Sequence, residues 1–84
     1  MSDNKKRLNS QLAKEIGAQL RKIRNAQEGH LTQAEVADYA GISTRHYCYL
    51  ELGEKMPSFE IIMKIAIAYR MRLSDFCKNF ENLL

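Results

Sequence analysis

The sequence predicts an all-α fold of five helices in one compact domain, and three observations support this prediction. Apolar residues recur at intervals of three and four along most of the chain, which is the helical period. Sustained alternation and a rich content of Val, Ile and Thr, which are typical of strands, are missing from the sequence. Ser, Thr and Gly stand where helices should begin and end. With 84 residues, the chain has room for one domain and none for a second, catalytic one.

The first two helices have clear start and stop signals. The first is predicted to begin after Ser10 and to end near Gly29. Its buried face is predicted to carry four apolar residues, Leu12, Ile16, Leu20 and Ile23. The second is predicted to begin at Thr32, where Thr32 and Glu35 form a capping box, and to end at Gly41.

The other three helices follow in quick succession. The third is predicted from Ser43 to Gly53, and the fourth from Ser58 to about Tyr69. A final helix is predicted to start at the cap Ser74–Asp75 and to carry one apolar stripe, formed by Phe76, Phe80 and Leu83. The predicted core draws on all five helices and consists of Leu12, Ile16, Leu20, Ile23, Ala37, Ile42, Tyr47, Leu50, Ile62, Ile65 and Phe76.

Positive charge is concentrated at the start of the chain. Residues 1–24 hold seven of the thirteen Lys and Arg but only two acids, and therefore carry a formal charge of +5. The remaining residues carry −2, which gives the chain its total of +3. Residues 1–9 are predicted to be a polar, basic, mobile arm, and residues 10–84 the folded domain. Such a charge distribution suits an anionic partner such as nucleic acid, although a solvated basic tail would have the same composition.

Several classes of protein are disfavoured by the sequence. Apolar runs fall short of the roughly 18 residues that a membrane span needs, and the N-terminal charges are not followed by a signal-peptide core. Two cysteines, Cys48 and Cys77, are too few for a disulfide framework. We therefore expect a cytoplasmic protein with no membrane association.

Enzymatic and metal sites are also disfavoured. A metal site built from His30, His46, Cys48 and Cys77 is not expected, because His46 and Cys48 would face different sides of one helix. The sequence has no Gly-rich phosphate loop, and no nucleophile or carboxylate pair emerges at a usable spacing. We expect no enzymatic activity, no cofactor and no small-molecule effector.

The most informative segment is TQAEVADYAGISTRHYCYLELG, residues 32–53, which predicts two short capped helices joined by a turn. Gly41 permits the positive φ of that turn, Ile42 fills the angle between the helices, and Ser43 caps the second helix. A helix pair fixed in this way can present its second member to a groove.

The two sides of that second helix differ in character. Tyr47, Leu50 and Glu51 fall on the side predicted to face the core. The opposite side carries Arg45, Cys48, Tyr49 and Leu52. Thr44 and Arg45 stand in its first turn, where they can reach base edges if that end enters the major groove of DNA.

Three segments, IGAQLRKIR, TQAEVADYAGIS and YLELGEKMPSFEIIMKIAIAY, resemble the lambda-repressor-like helix-turn-helix domain of the Cro and phage-repressor type, the XRE family. The resemblance covers roughly residues 16–76, and its matching features recur in order at Arg24, Thr32, Gln33, Ala37, Gly41, Glu51, Gly53 and Pro57. It implies a bacterial or phage-encoded transcriptional regulator that binds double-stranded DNA, expected to be a repressor that acts as a homodimer on a palindromic operator.

The resemblance also implies roles for individual residues. The base-reading positions of the recognition helix are Thr44, Arg45, Cys48 and Tyr49. Phosphate contacts are expected from Gln33, at the start of the second helix, together with Arg21, Lys22 and His46. Arg24 and Glu51 are expected to form a structural ion pair.

Three departures from the family pattern predict local differences. Arg24 and Gln33 are nine positions apart, about two more than usual, which predicts an enlarged loop around Gly29 and His30. Arg70 stands where the family commonly has Gly, and a left-handed backbone there would cost roughly 1 kcal/mol. Tyr47 replaces a smaller aliphatic residue, which predicts a looser or rearranged core.

Dimer contacts are predicted at the end of the chain, where four apolar residues cluster: Phe76, Phe80, Leu83 and Leu84. The main alternative function is protein binding, either as the antitoxin of a toxin pair or as another interaction module built on the same domain. A phosphate contact at Gln33 and an outward Arg45 favour DNA.

Overall fold

A computed structural model describes the backbone of residues 2–83 and the side chains of residues 9–83. Its five α-helices and short 3-10 helix, with no strand among residues 2–83, confirm the all-α prediction. The helices are α1 (Ser2–Ala26), α2 (Gln33–Ala40), α3 (Thr44–Leu52), α4 (Phe59–Ala68) and α5 (Leu73–Lys78), and the 3-10 helix is Glu81–Leu83. None of the helices described is both long and apolar enough to span a bilayer.

Helix α2 and helix α3 begin and end as their capping residues predict. The side chain of Thr32 accepts a hydrogen bond from the amide of Glu35, whose carboxylate accepts one from the amide of Thr32. Ser43 caps α3 in the same manner, because its side chain accepts a hydrogen bond from the amide of His46. Gly41 and Gly53 end the two helices in left-handed conformations, with φ of 69° and 76°.

Two predicted helix starts are wrong. Helix α1 begins at Ser2, and Ser10 lies within it, so the backbone of residues 2–9 continues the helix instead of preceding it as an arm. That segment contains Leu8 and three Lys or Arg residues, which favour helix without a cap at Ser10. Helix α5 begins at Leu73, ahead of the predicted cap at Ser74, and its N-cap position makes no side-chain hydrogen bond.

Helix α5 is also shorter than predicted. It ends at Lys78, where the side chain of Asn79 donates to two carbonyl groups of the last turn and so replaces the amides of a further turn. Phe80 lies in the turn that follows, and Leu83 in the 3-10 helix. The predicted apolar stripe is therefore divided between α5 and the residues after it.

The core lies between all five helices and contains most of the residues predicted for it. Its largest fully buried side chains are Leu20, Val36, Tyr47, Leu50, Ile65, Tyr69 and Phe76. Four predicted core residues are only partly buried: Leu12, Ile16, Ile42 and Ile62. Of these, Ile16, Ile42 and Ile62 pack against the edge of the cluster.

Tyr47 is accommodated by a second buried tyrosine. The hydroxyl of Tyr69 donates to the carbonyl of Leu20 at 3.1 Å, so the hydroxyl of Tyr47 is the donor in the hydrogen bond between the two tyrosines. Burial raises the pKa of both hydroxyls above the usual range, which keeps both rings neutral. The core around Tyr47 is thus rearranged about a chain of hydrogen bonds that runs from Tyr47 through Tyr69 to the carbonyl of Leu20.

Two glycines bring the backbones of α1 and α3 into direct contact. A Cβ atom on Gly17 would lie 2.4 Å from the carbonyl oxygen of Leu50, and one on Gly53 would lie 2.5 Å from the Cα atom of Lys14. Side chains on either glycine would have to displace backbone atoms, which cannot swing away. The distance between α1 and α3 is therefore set by main chain.

Among residues 2–83, left-handed backbone occurs at two residues other than glycine. His30, with φ of 53°, follows Gly29, with φ of 86°, in the loop between α1 and α2. Arg70, with φ of 57°, follows Tyr69, the C-cap of α4, at the position where the sequence predicts this strain.

Candidate nucleic-acid interface

A buried ion pair joins α1 to α3. The guanidinium of Arg24 donates from Nε to Oε2 of Glu51 at 2.6 Å and from Nη2 to Oε1 at 3.0 Å. Its Nη1 donates to the carbonyl of Leu31 at 3.0 Å, which ties the loop before α2 to the same group. Glu51 is 8% exposed, so this carboxylate depends on protein donors in place of water.

The donors around Glu51 outweigh the effect of its burial. Burial by itself would raise the pKa of this carboxyl, but hydrogen bonds from Arg24 and Gln33 lower it, and the pKa lies below the usual range. The hydrogen bond to Glu51 likewise raises the pKa of Arg24. Both groups therefore stay charged in the folded protein.

Gln33 links the start of α2 to this pair. Its Nε2 donates to Oε1 of Glu51 at 2.9 Å, and its Oε1 accepts from the thiol of Cys48 at 3.0 Å. Since an amide nitrogen has two hydrogens, one remains for another acceptor. A surface cavity of about 360 Å³ opens at this point, lined by Arg21, Arg24, Gln33, Cys48, Glu51 and Leu52.

The first turn of α3 projects outward beside an aromatic ring. Thr44 and Arg45 are exposed, whereas Tyr49, one turn later, is half-buried. Nε of Arg45 donates to the hydroxyl of Tyr49 at 3.0 Å, and the guanidinium carbon lies 5.7 Å from the centre of the ring. A cavity of about 400 Å³ is lined here by Ser43, Arg45, His46, Tyr49 and Lys55.

The residues predicted to touch DNA therefore fall into two groups. Gln33 and Arg21 meet at the first cavity, and Cys48 faces them from α3. Arg45, Tyr49 and the half-buried His46 meet at the second, while Thr44 lies beside α2 in a separate depression. Lys22 is exposed on α1 and lines neither cavity.

Lys55 is the residue of this surface that sequence reasoning missed. Its Nζ lies 5.7 Å from the centre of the Tyr49 ring, as close as the guanidinium of Arg45. The helix-turn-helix pattern ends at Gly53, so nothing in it points to a later residue. The available signal was Gly53 itself, because a left-handed residue at a helix end turns the chain back across the last turn.

The residues predicted to form a dimer interface do not lie on one surface. Phe76 is completely buried and packs edge-to-face on Phe80, with 5.1 Å between the ring centres. Phe76 is therefore a core residue, and its assignment to an interface is wrong. Phe80 and Leu83 line an apolar cavity of about 280 Å³ together with Leu12, Ile16, Phe59, Ile62 and Cys77. Leu84 lies outside the described residues.

Potential metal ligands do not cluster in the described part of the chain. Among residues 9–83, His, Cys, Asp and Glu side chains do not gather in groups of three or more that could hold a metal ion. Cys48 instead donates to Gln33, and Cys77 is exposed on α5.

The sequence was compared with models of protein families, and the helix-turn-helix model matches residues 20–76, from α1 through most of α5. This chain belongs to the XRE family of DNA-binding transcriptional regulators. Among curated proteins, this XRE-family chain is 41% identical over 46 residues to the cryptic phage CTXphi transcriptional repressor RstR of Vibrio cholerae serotype O1. That match covers 55% of the chain and 41% of the repressor.

A solved structure extends the likeness to most of the XRE-family fold. The clp gene regulator ClgR from C. glutamicum superposes with a TM-score of 0.72 at 25% sequence identity. The superposition covers 87% of this chain and 92% of the ClgR chain. Most of this helical arrangement is therefore shared with a known regulator.

Proposed function

We propose that this XRE-family protein is a sequence-specific repressor that binds a palindromic operator in cytoplasmic DNA as a homodimer, with α3 in the major groove. The arrangement of α3 carries the proposal. Its inner side is immobilised by Tyr47, Leu50 and Glu51, all of them buried, while Thr44 and Arg45 project from its first turn. A rigid helix with polar groups at its exposed N-terminal end fits the major groove.

Phosphate contacts would be made at the N-terminus of α2. Gln33 is the first residue of that helix and has one amide hydrogen free, and Arg21 lies across the same cavity. Free backbone amides and the helix dipole at this end also favour an anion. Lys22 and His46 would contact DNA phosphates on either side of this point. Together, these residues would set the register of the protein on DNA.

Base reading would fall mainly to Arg45 and Thr44, which are exposed. Two parallel N–H groups of an arginine match the O6 and N7 acceptors of guanine. Tyr49 stands beside Arg45 on the same face. Cys48, whose thiol is engaged with Gln33, would remain at the edge of the interface.

Two observations support a homodimeric repressor. The similar phage protein is named a transcriptional repressor. Phe80 and Leu83 line an open apolar cavity whose rim includes Phe59, 66% exposed, and a second copy of the chain would cover these side chains. Leu84 would add to the same contact.

Selection of bound duplexes from a random pool, followed by measurement on the selected operator, tests the proposal. Arg45→Ala should cost about 1 to 3 kcal/mol on the selected operator and relax preference at one base position in each half-site. The control is Arg72→Ala, which removes an exposed arginine at the start of α5 and should leave binding unchanged.

Two results would contradict the proposal. Equal losses on the selected and a scrambled duplex would show that Arg45 holds only phosphate. A pool that yields no preferred sequence, together with binding that does not vary with salt, would instead favour a protein-interaction role.

A further inference from the structure

The side chain of Tyr49 is less free to contact a base than an exposed side chain would be. Its ring is half-buried against α3, and its hydroxyl is engaged by Arg45 within the same helix. Residues four apart lie one above the other on a helix face, so this contact needs no distortion of α3. The oxygen of that hydroxyl accepts a hydrogen bond from Nε of Arg45, so Tyr49 is already engaged with Arg45 in the absence of DNA.

The hydrogen bond to Tyr49 leaves the two Nη groups of Arg45 free. The guanidinium has five N–H donors, and the hydrogen bond to Tyr49 uses only the one on Nε. The two Nη groups remain as the parallel pair that matches the acceptors of guanine. An exposed arginine otherwise samples many rotamers, and ordering one of them on binding weakens the complex.

The ring of Tyr49 also contacts a second cation. The amide of Glu54 donates to the carbonyl of Tyr49 at 2.9 Å, which fixes the turn after Gly53. That turn places Nζ of Lys55 5.7 Å from the ring centre. The negative face of the Tyr49 ring attracts both cations, Arg45 and Lys55, and so offsets their mutual repulsion.

We infer that Tyr49 is a positioning residue, which orients Arg45 for base reading and holds Lys55 toward a DNA phosphate. The inference rests on the proposed function, since it assumes that Arg45 meets a base. It assigns Tyr49 no base contact of its own, and it adds Lys55 to the phosphate-binding residues.

The decisive variant is Tyr49→Phe, which keeps the ring and removes the hydroxyl. The quantity to measure is a discrimination ratio, the Kd for a duplex changed at the guanine of Arg45 divided by the Kd for the selected operator. It should fall about twofold to tenfold, the range that one net hydrogen bond contributes. The salt dependence of binding should not change, because the ring still holds Lys55. Tyr39→Phe, at an exposed tyrosine of α2, is the matched control and should have no effect.

Two further variants separate the roles. Lys55→Gln should leave the discrimination ratio unchanged and reduce the slope of log affinity against log salt by about one. In an Arg45→Ala background, Tyr49→Phe should have no further effect on the ratio. An unchanged ratio in Tyr49→Phe alone would overturn the inference, and so would an equal fall in the Arg45→Ala background, which would show that Tyr49 reads a base directly.

A measurement without DNA keeps this inference separable from the proposed function. In the free protein, the Nε proton of Arg45 should exchange with water more slowly in wild type than in Tyr49→Phe. Equal exchange would overturn the positioning role even if the operator is found. Slow exchange in wild type with no preferred duplex would instead reject the proposed function.

Discussion

Glu51 is the residue on which three helices converge. Its two oxygens accept hydrogen bonds from Arg24 on α1 and Gln33 on α2, and its own backbone belongs to α3. A carboxylate near a helix C-terminus is disfavoured by the helix dipole, and burial disfavours it further. Its charge is therefore tolerated only while Arg24 is present.

Arg24→Ala should destabilise the fold by about 3 to 5 kcal/mol, because it leaves a buried carboxylate without its cation. Urea unfolding measures this free energy. Arg21→Ala, three residues earlier on the same helix and exposed, is the matched control and should change stability by less than about 0.5 kcal/mol. Native-like unfolding of Arg24→Ala would mean that the pair contributes nothing to the fold.

Stability should also depend on pH through Glu51. Its pKa in the folded protein lies below the ordinary value of 4.5, so its stabilisation is complete above that pH and is lost as pH falls through the folded pKa. Wild type should therefore be more stable than Glu51→Gln near neutral pH, and the difference should shrink in acid. Urea unfolding of both proteins over this range gives the difference. A gap that stays constant down to about pH 3 would contradict the lowered pKa.

At the scale of helices, the packing of α1 on α3 depends on the absence of a side chain. Gly17→Ala should destabilise by at least about 1 to 3 kcal/mol, since its methyl group would meet the carbonyl of Leu50. Alanine at an open helical site would instead stabilise by up to about 1 kcal/mol. Ala18→Gly, at the exposed neighbouring position, measures the difference in helix propensity between alanine and glycine without a change in packing. A Gly17→Ala variant more stable than wild type in thermal unfolding would show that the helices can separate freely.

Helix starts were predictable where a side chain caps the helix and not elsewhere. Thr32, Ser43 and Ser58 each accept a hydrogen bond from an amide three residues on, so their signal is local and visible in sequence. Ser10 and Ser74 have the same chemistry but lie within helices. Helix propensity and tertiary packing can override a possible cap, and a single sequence does not reveal when they do.

Most members of the candidate site could be named from the sequence, but Lys55 and the contacts within the site could not. The helix-turn-helix pattern identifies Gln33, Arg45 and Tyr49, because their positions follow from the helical period. The contacts of Gln33 with Cys48 and of Lys55 with Tyr49 depend on how a loop and two helices meet. Such distances are set by tertiary packing, which periodicity does not encode.

For the whole molecule, exposed apolar side chains offer two surfaces for self-association. One is the cavity that contains Phe80 and Leu83, and the other is the outer face of α4, where Met63 and Ile67 are 39% and 70% exposed. The proposed dimer uses the first surface.

Leu83→Glu should shift the protein from dimer to monomer, because it places a charge in the apolar contact. Ile67→Glu, on the outer face of α4, is the matched control and should leave the dimer intact. Sedimentation measures the mass of each variant, and circular dichroism establishes that each remains helical. Loss of the dimer with Ile67→Glu alone would move the interface to α4.

The main-chain contacts at Gly17 and Gly53 bear on how such a protein could acquire a new target. Because α3 is seated on α1 partly through backbone, its exposed residues take little part in holding it there. Substitutions at Thr44 and Arg45 can then follow one another without compensating substitutions in the core. An ancestral chain could thus diversify its operators while the scaffold stayed constant, and a designer could graft a new specificity onto these few positions.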